Sequence, residues 1–390
     1  CALMIADAVT LWWETMAGPQ ILIRRIADAL SEGKSVLLRS SGRLPWQEQM
    51  RDILSHQLSS ATIEHAELSS GTPQQLIPQL LGQLRRTRAS ICPLEYRAQL
   101  TYLLDEHIFQ GSVVWLHLAT GCDLRPAVHL ISDFRGKGLE RSGCFVLAVP
   151  DQFSLPRLSG SVEVIDCSEA VHFGDVRLFA SILADMQPGL PEEFRLYAAQ
   201  LAAHLAGLNG ELVPPLLQYL RPDQEPAESL KEIRHDILVD PSLLPDPARL
   251  EQSVWKAQIQ TVFADIEMAR LRIVSDWSDA IEDALETEYW EPQKNRTGFI
   301  EQMGERLTEA EGVELGTLVR MMALRRKEDH NQYLLYIPDE QTREWICFLR
   351  TCRNKLAHHV PCPQAEMSQL LSGLAAQEEP CTGVPQILQH

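Results

Sequence analysis

The run Leu349-Arg350-Thr351-Cys352-Arg353-Asn354-Lys355-Leu356-Ala357-His358-His359 gathers chemistry into one short stretch. Arg353 brings a permanently charged guanidinium, Asn354 an amide and His358 an imidazole, within about one and a half turns of a helix. Arginine holds a phosphate by a two-pronged contact, and histidine moves protons near neutral pH. Those are the groups needed to cut RNA without a metal, using the 2′-hydroxyl as internal nucleophile. Five residues of an ideal helix turn His358 about 140° away from Arg353, so the two converge only where the helix ends or bends. Pro361 supplies a reason for it to end, because the residue before a proline is driven out of helical geometry. His359 then competes with His358 for the catalytic position. The alternative for all these residues is structural, namely capping the helix and pairing with nearby carboxylates.

An Arg, a polar residue and then a His, here Arg353, Asn354 and His358, resembles the signature of HEPN domains. The resemblance implies a small helical domain that dimerises and pairs two copies of the motif. It also implies a metal-independent RNA endonuclease of a prokaryotic defence or conflict system. Its catalytic residues would be Arg353, Asn354 and His358, with His359 as the alternative imidazole. Arg350, Lys355, Arg325 and Arg326 are the expected RNA-binding cations, since the stretch around the motif is locally basic. No cofactor and no metal are expected.

The rest of the chain constrains the setting. A formal net charge of -18 argues against a protein that coats nucleic acid non-specifically. Nine cysteines without a Cys-x-x-Cys pair fit a reduced, cytoplasmic protein better than a disulfide framework or a zinc site. No apolar run approaches the ~18 residues of a membrane span, and no secretory signal is recognisable. Residues Cys1 to Leu3 read as a trimmed or tagged start.

The elements that must carry the motif divide the chain. The first part alternates apolar runs at 35–39, 61–67, 113–118, 144–149 and 162–167 with helical patterns at 20–30, 47–58, 73–84, 95–107 and 125–133. That alternation predicts an α/β domain with a parallel, three-layer sheet. Its spacing is similar to the core of P-loop NTPases, the STAND class in particular. The chemistry of that family is missing. Gly33-Lys34-Ser35 precedes the first strand, and the loop after it, Ser40-Ser41-Gly42-Arg43-Leu44-Pro45-Trp46, has one glycine and no lysine. The end of the third strand, Leu118-Ala119-Thr120, carries no carboxylate for magnesium. An inactive, degenerate P-loop module is therefore expected, not an ATPase. Trp12 and Trp13 are expected to pack against it.

The expected domains are 1–170 for the P-loop-like part, 171–220 for a helical lid-like part, 221–248 for a Pro-rich linker, 249–376 for the HEPN-like helical domain and 377–390 for a tail. The expected partners are a second copy through the HEPN-like domain, an RNA substrate and a protein at the N-terminal module, with no membrane. A non-catalytic adaptor that binds an effector and dimerises is the competing expectation.

Overall fold

The computed structural model describes residues 7–59, 61–86, 94–119, 121–136, 138–235, 247–286, 309–326 and 329–378. These residues fall into two compact units. One lies within Cys1–Phe179 and Ala206–Pro214, and the other within Ala180–Leu205, Pro215–Asp240 and Leu244–His390.

The first unit is built on β1 (Ser35–Ser40), β2 (Thr62–Leu68), β3 (Ser112–Leu118), β4 (Cys144–Pro150) and β5 (Val162–Asp166). They form one sheet in the order β2-β3-β4-β1-β5, with every pairing parallel. Parallel neighbours need long crossovers. Helices α1 (Ala17–Ser31), α2 (Gln47–Gln57), α3 (Pro73–Gln83), α4 (Tyr96–Asp105) and α5 (Arg125–Asp133) lie along the chain between or before the strands.

Burial on both faces explains why the central strands read as unbroken apolar runs. Leu37, Val114, Leu116, Phe145 and Leu147 join Ile77 and Leu80 of α3, Leu103 of α4 and Ile131 of α5 in one core. The alternating residues Val36, Leu38, Val113, Trp115 and Val146 are equally buried. On the sheet α1 contacts β1 and α2 contacts β2. Trp12 is fully buried, its ring 6.3 Å from Trp46 and 5.2 Å from Phe179. Gly210 backs onto Trp12 so closely that a Cβ there would lie 2.6 Å from the indole.

Helix α6 (Phe173–Asp185), α7 (Glu192–Ala206), α8 (Val213–Tyr219) and α9 (Pro226–His235) follow. The boundary between the units falls inside α6, at the last residue of α7 and inside α8. Prolines made 221–248 read as irregular, yet Pro226 opens α9, whose Leu230 and Ile233 are buried. A proline in the first helical turn loses no hydrogen bond, so its presence marks a start as readily as a break.

The second unit is helical. Its spine is α10 (Leu250–Asp276), 27 residues long, followed by α11 (Ser278–Ala284), α12 (Leu315–Ala323), α13 (Glu340–Ala357) and α14 (Gln364–Glu378). Val254, Gln258, Thr261, Val262, Ile266, Ala269 and Ile273 make the buried stripe of α10. Helices α13 and α14 pack on α10, and α12 packs on α13. Of the face of α13 expected to be core from its spacing, Trp345, Leu349, Cys352 and Leu356, the last three are fully buried and Trp345 is half-buried. A helix expected at 298–307 lies outside the described residues, as do Lys327 and 379–390. Among the described residues no helix is long and apolar enough to cross a membrane.

Candidate functional site

The start of α13 is set by Asp339, whose carboxylate accepts from the Thr342 amide at 2.8 Å and from its hydroxyl at 2.6 Å. That same pair holds the Asp339 carboxyl below the usual carboxylate range. At the other end the helix closes in a Schellman motif. The Val360 amide donates to the Lys355 carbonyl at 2.9 Å and the His359 amide to the Leu356 carbonyl at 3.2 Å. His359 occupies the left-handed position with φ 61°, a place usually taken by glycine. Its ring meets Trp255 edge-on, with centroids 4.7 Å apart, while the Trp255 indole donates to the Leu356 carbonyl at 2.7 Å. Beyond Pro361 the chain is held by the fully buried Gln258. Its amide donates to the Cys362 carbonyl and accepts from the Cys362 amide, both at 2.8 Å.

This ending fixes where the motif points. Arg350, Asn354 and His358 follow at steps of four and, with Thr351, Lys355 and Val360, line one open depression of about 450 Å³. His358 is exposed, and Asn354 is half-buried. Lys355 is tied at the edge, donating to both Glu366 carboxylate oxygens at 2.6 Å. That hydrogen bond raises its pKa.

Arg353 stands one position off this face and is not part of the depression's lining. It lies 3.9 Å from the carboxylate of Glu314, the residue that precedes α12. His359 is turned toward Trp255. Arg325 and Arg326 are elsewhere in the unit. Arg325 lies 3.6 Å over the Tyr333 ring and donates to the Asn331 carbonyl, while Arg326 pairs with Asp283. The structure therefore gathers Arg350, Asn354, Lys355 and His358, and leaves Arg353, His359, Arg325 and Arg326 outside that group. Thr351, Val360 and Glu366 escaped the sequence reading. Thr351 stands three residues before Asn354 and four before Lys355, so helical spacing could have placed it beside them.

Beneath the site, Cys352, Cys362 and Glu366 bring possible ligand atoms within 4.8 Å of one another, the one such group among the described residues. Glu366 is already engaged by Lys355, and a hydrogen bond between the two thiols holds Cys352 protonated, with burial adding to it. These contacts fit packing better than a metal, which would need thiolates and a carboxylate to spare.

In the first unit, the loop between β1 and α2 has the place of a phosphate loop but different contents. Trp46 caps α2 with φ 41°, and its amide donates to the Glu211 carboxylate at 3.0 Å. The chain's own anion thus takes the helix N-terminus where a bound phosphate would sit. The ring of Trp46 is buried in the Trp12 and Phe179 cluster.

The first unit is an α/β unit on a five-stranded parallel sheet, joined in one chain to a helical unit. No protein-family model matches the chain, and comparison with curated proteins gives no match. Among solved structures, the chain is similar to the Aeropyrum pernix ORC2 protein, with 10% identity over 93% of each chain and a TM-score of 0.30. It is also similar to a Thermotoga maritima RuvB mutant, with 11% identity, 65% and 76% coverage and a TM-score of 0.30. Drosophila ORC bound to DNA matches with 11% identity, 90% and 85% coverage and a TM-score of 0.32. Likeness at this level bears no weight for function.

Proposed function

We propose that this protein is a metal-independent RNA endonuclease of the HEPN type, carried on a non-hydrolysing NTPase-like module in a prokaryotic defence or conflict system. One observation carries the reading: Asn354 and His358 open together with Arg350 into a single depression at the end of α13. Two copies of the helical unit would pair to complete the cleft. His358 takes the proton of a ribose 2′-hydroxyl, and the imidazole of the second copy protonates the leaving 5′-oxygen. Arg350 holds the phosphate, and Asn354 orients it. Arg353 leaves Glu314, an exposed contact at 3.9 Å that holds it weakly, to meet the charge of the phosphorane. The products are a 2′,3′-cyclic phosphate and a 5′-hydroxyl.

The non-hydrolysing character is supported by the Glu211 carboxylate on the Trp46 amide and by a β1 loop without lysine. A second reading, a non-catalytic adaptor that dimerises and holds a protein partner, is favoured by the engagement of Arg353 with Glu314 and Lys355 with Glu366. Bacterial growth on induction of wild type, Arg353→Ala and His358→Ala, with RNA ends mapped in parallel, separates the two. The nuclease reading expects toxicity with new 5′-hydroxyl ends in the wild type and neither in the variants at equal expression. Indistinguishable growth and RNA ends in all three would favour the adaptor.

A further inference from the structure

Two cysteines bracket the motif: the segment from Cys352 to Cys362 holds Arg353, Asn354, His358 and His359. Cys352 is fully buried on α13. Cys362 lies beyond Pro361, in the link between α13 and α14, and is 3% exposed. The Schellman turn reverses the chain, and Gln258 pins the backbone of Cys362 at both its amide and its carbonyl. The two sulfurs come within 4.8 Å of one another, in positions set by these backbone contacts.

The pair differs from the other buried thiols described. Burial pushes Cys144 and Cys167 up to about 12, and a thiol held protonated in that way is inert. Cys362, similarly buried, moves the other way. Cys352 donates its S–H to the Cys362 sulfur, and this outweighs burial and the Glu366 carboxylate, with Lys355 adding to it. The same hydrogen bond, with burial, keeps the proton on Cys352. One sulfur is thus prepared to attack, and the other stands beside it to resolve the product.

We propose that Cys352 and Cys362 form a reversible disulfide in response to a peroxide, a modification that locks the end of α13. It rests on the placement of the two thiols and holds whether the protein is a nuclease or an adaptor. The Cys362 thiolate attacks one peroxide oxygen and the O–O bond breaks, leaving a sulfenic acid and a hydroxide that takes up a proton to become water. The Cys352 sulfur then attacks the sulfenic sulfur; its own proton leaves with the expelled hydroxyl as a second water. The two thiols lose two electrons and the peroxide gains them. Closing the bond to about 2.05 Å draws the link toward α13 and makes a covalent ring around the motif. Cys362 stands outside regular secondary structure, so local opening of the link admits the oxidant without unfolding α13.

The test exposes the full chain to hydrogen peroxide, blocks the remaining free thiols and digests it with trypsin and a glutamate-specific protease. Cleavage at Arg353, Lys355 and Glu366 parts the two cysteines, so their peptides stay together only through the bond. Mass spectrometry should find the joined peptides after oxidation, and dithiothreitol should separate them. Cys352→Ala should leave Cys362 as a sulfenic acid that dimedone traps, whereas Cys362→Ala should leave Cys352 reduced at the same dose. Hydrogen exchange at the Val360 and Cys362 amides should slow by about tenfold or more in the oxidised protein. The wild-type peptide map decides without relying on the variants. No joined pair at a dose that oxidises the exposed Cys347, or a joined pair only after urea has unfolded the chain, would overturn the proposal. Unchanged exchange in the cross-linked protein would overturn the lock.

Discussion

Replacing Gln258 by leucine tests how the end of the motif is held. Gln258 is fully buried on α10, and its side chain closes a two-bond ring with the backbone of Cys362, both bonds at 2.8 Å. Leucine fills similar space but offers neither a donor nor an acceptor. Each lost hydrogen bond removes about 1 kcal/mol, and each stranded backbone group costs a further ~1–3 kcal/mol unless the loop shifts to reach water. Relaxation of the 359–362 segment lets the backbone groups reach water in part, so the loss is set at about 3 kcal/mol, below the unrelaxed sum of roughly 4–8 kcal/mol. Urea unfolding followed by tryptophan fluorescence should show the helical unit losing that amount. Hydrogen exchange at the Cys362 amide should speed by about a hundredfold if local opening carries the change. Gln258→Glu adds a sign. It keeps an acceptor for the Cys362 amide but sets a carboxylate against the Cys362 carbonyl, so burial raises its folded pKa above the unfolded value. Stability is then poor at neutral pH and recovers on acidification, as the protonated acid donates again. A loss below about 0.5 kcal/mol for Gln258→Leu, with exchange at Cys362 unchanged, would refute the claim that this ring anchors the loop.

Two further outcomes follow from local geometry. At His359 the left-handed backbone costs about 1–2 kcal/mol for a side chain, and the edge contact with Trp255 returns about 0.5–1.5 kcal/mol. Thermal melts should therefore find His359→Ala less stable by about 1 kcal/mol and His359→Gly close to wild type; equal losses in both would contradict this balance. For His117, the folded pKa near 4 lies below the unfolded value of about 6.5, so the unfolded chain binds the extra proton between them. Stability contributed through neutral His117 is intact above pH ~6.5 and is lost as pH falls toward 4. The slope stays below about 1.4 kcal/mol per pH unit, because the ring is only partly buried. In urea titrations at pH 7 and 4.5, His117→Gln should lose less stability than wild type, and parallel losses would rule the effect out.

Much of the first unit could be read from its apolar runs, because strands buried on both faces leave little choice about where they lie. All five strands fall within one or two residues of expectation, and the helical pattern at 95–107 is α4, the helix before β3. What the sequence could not show was side-chain direction at helix ends. Arg350, Asn354 and His358 share a face by their steps of four, but the Schellman turn that stops the helix at Ala357 relies on a histidine where glycine is the usual signal. Likewise Glu211 is far from Trp46 in the chain, so no local pattern links that carboxylate to the β1 loop. The partner of Gln258 is a backbone more than a hundred residues away, so no local pattern links the two.

The Glu211 contact has a consequence for how the first unit relates to the cell. Because donor and acceptor belong to one polypeptide, the rival to any incoming anion at the Trp46 amide never diffuses away. Such tethered groups act at local concentrations on the order of millimolar or above. A metabolite seeking that amide would have to outcompete a group whose abundance does not vary with nutrition, growth phase or infection.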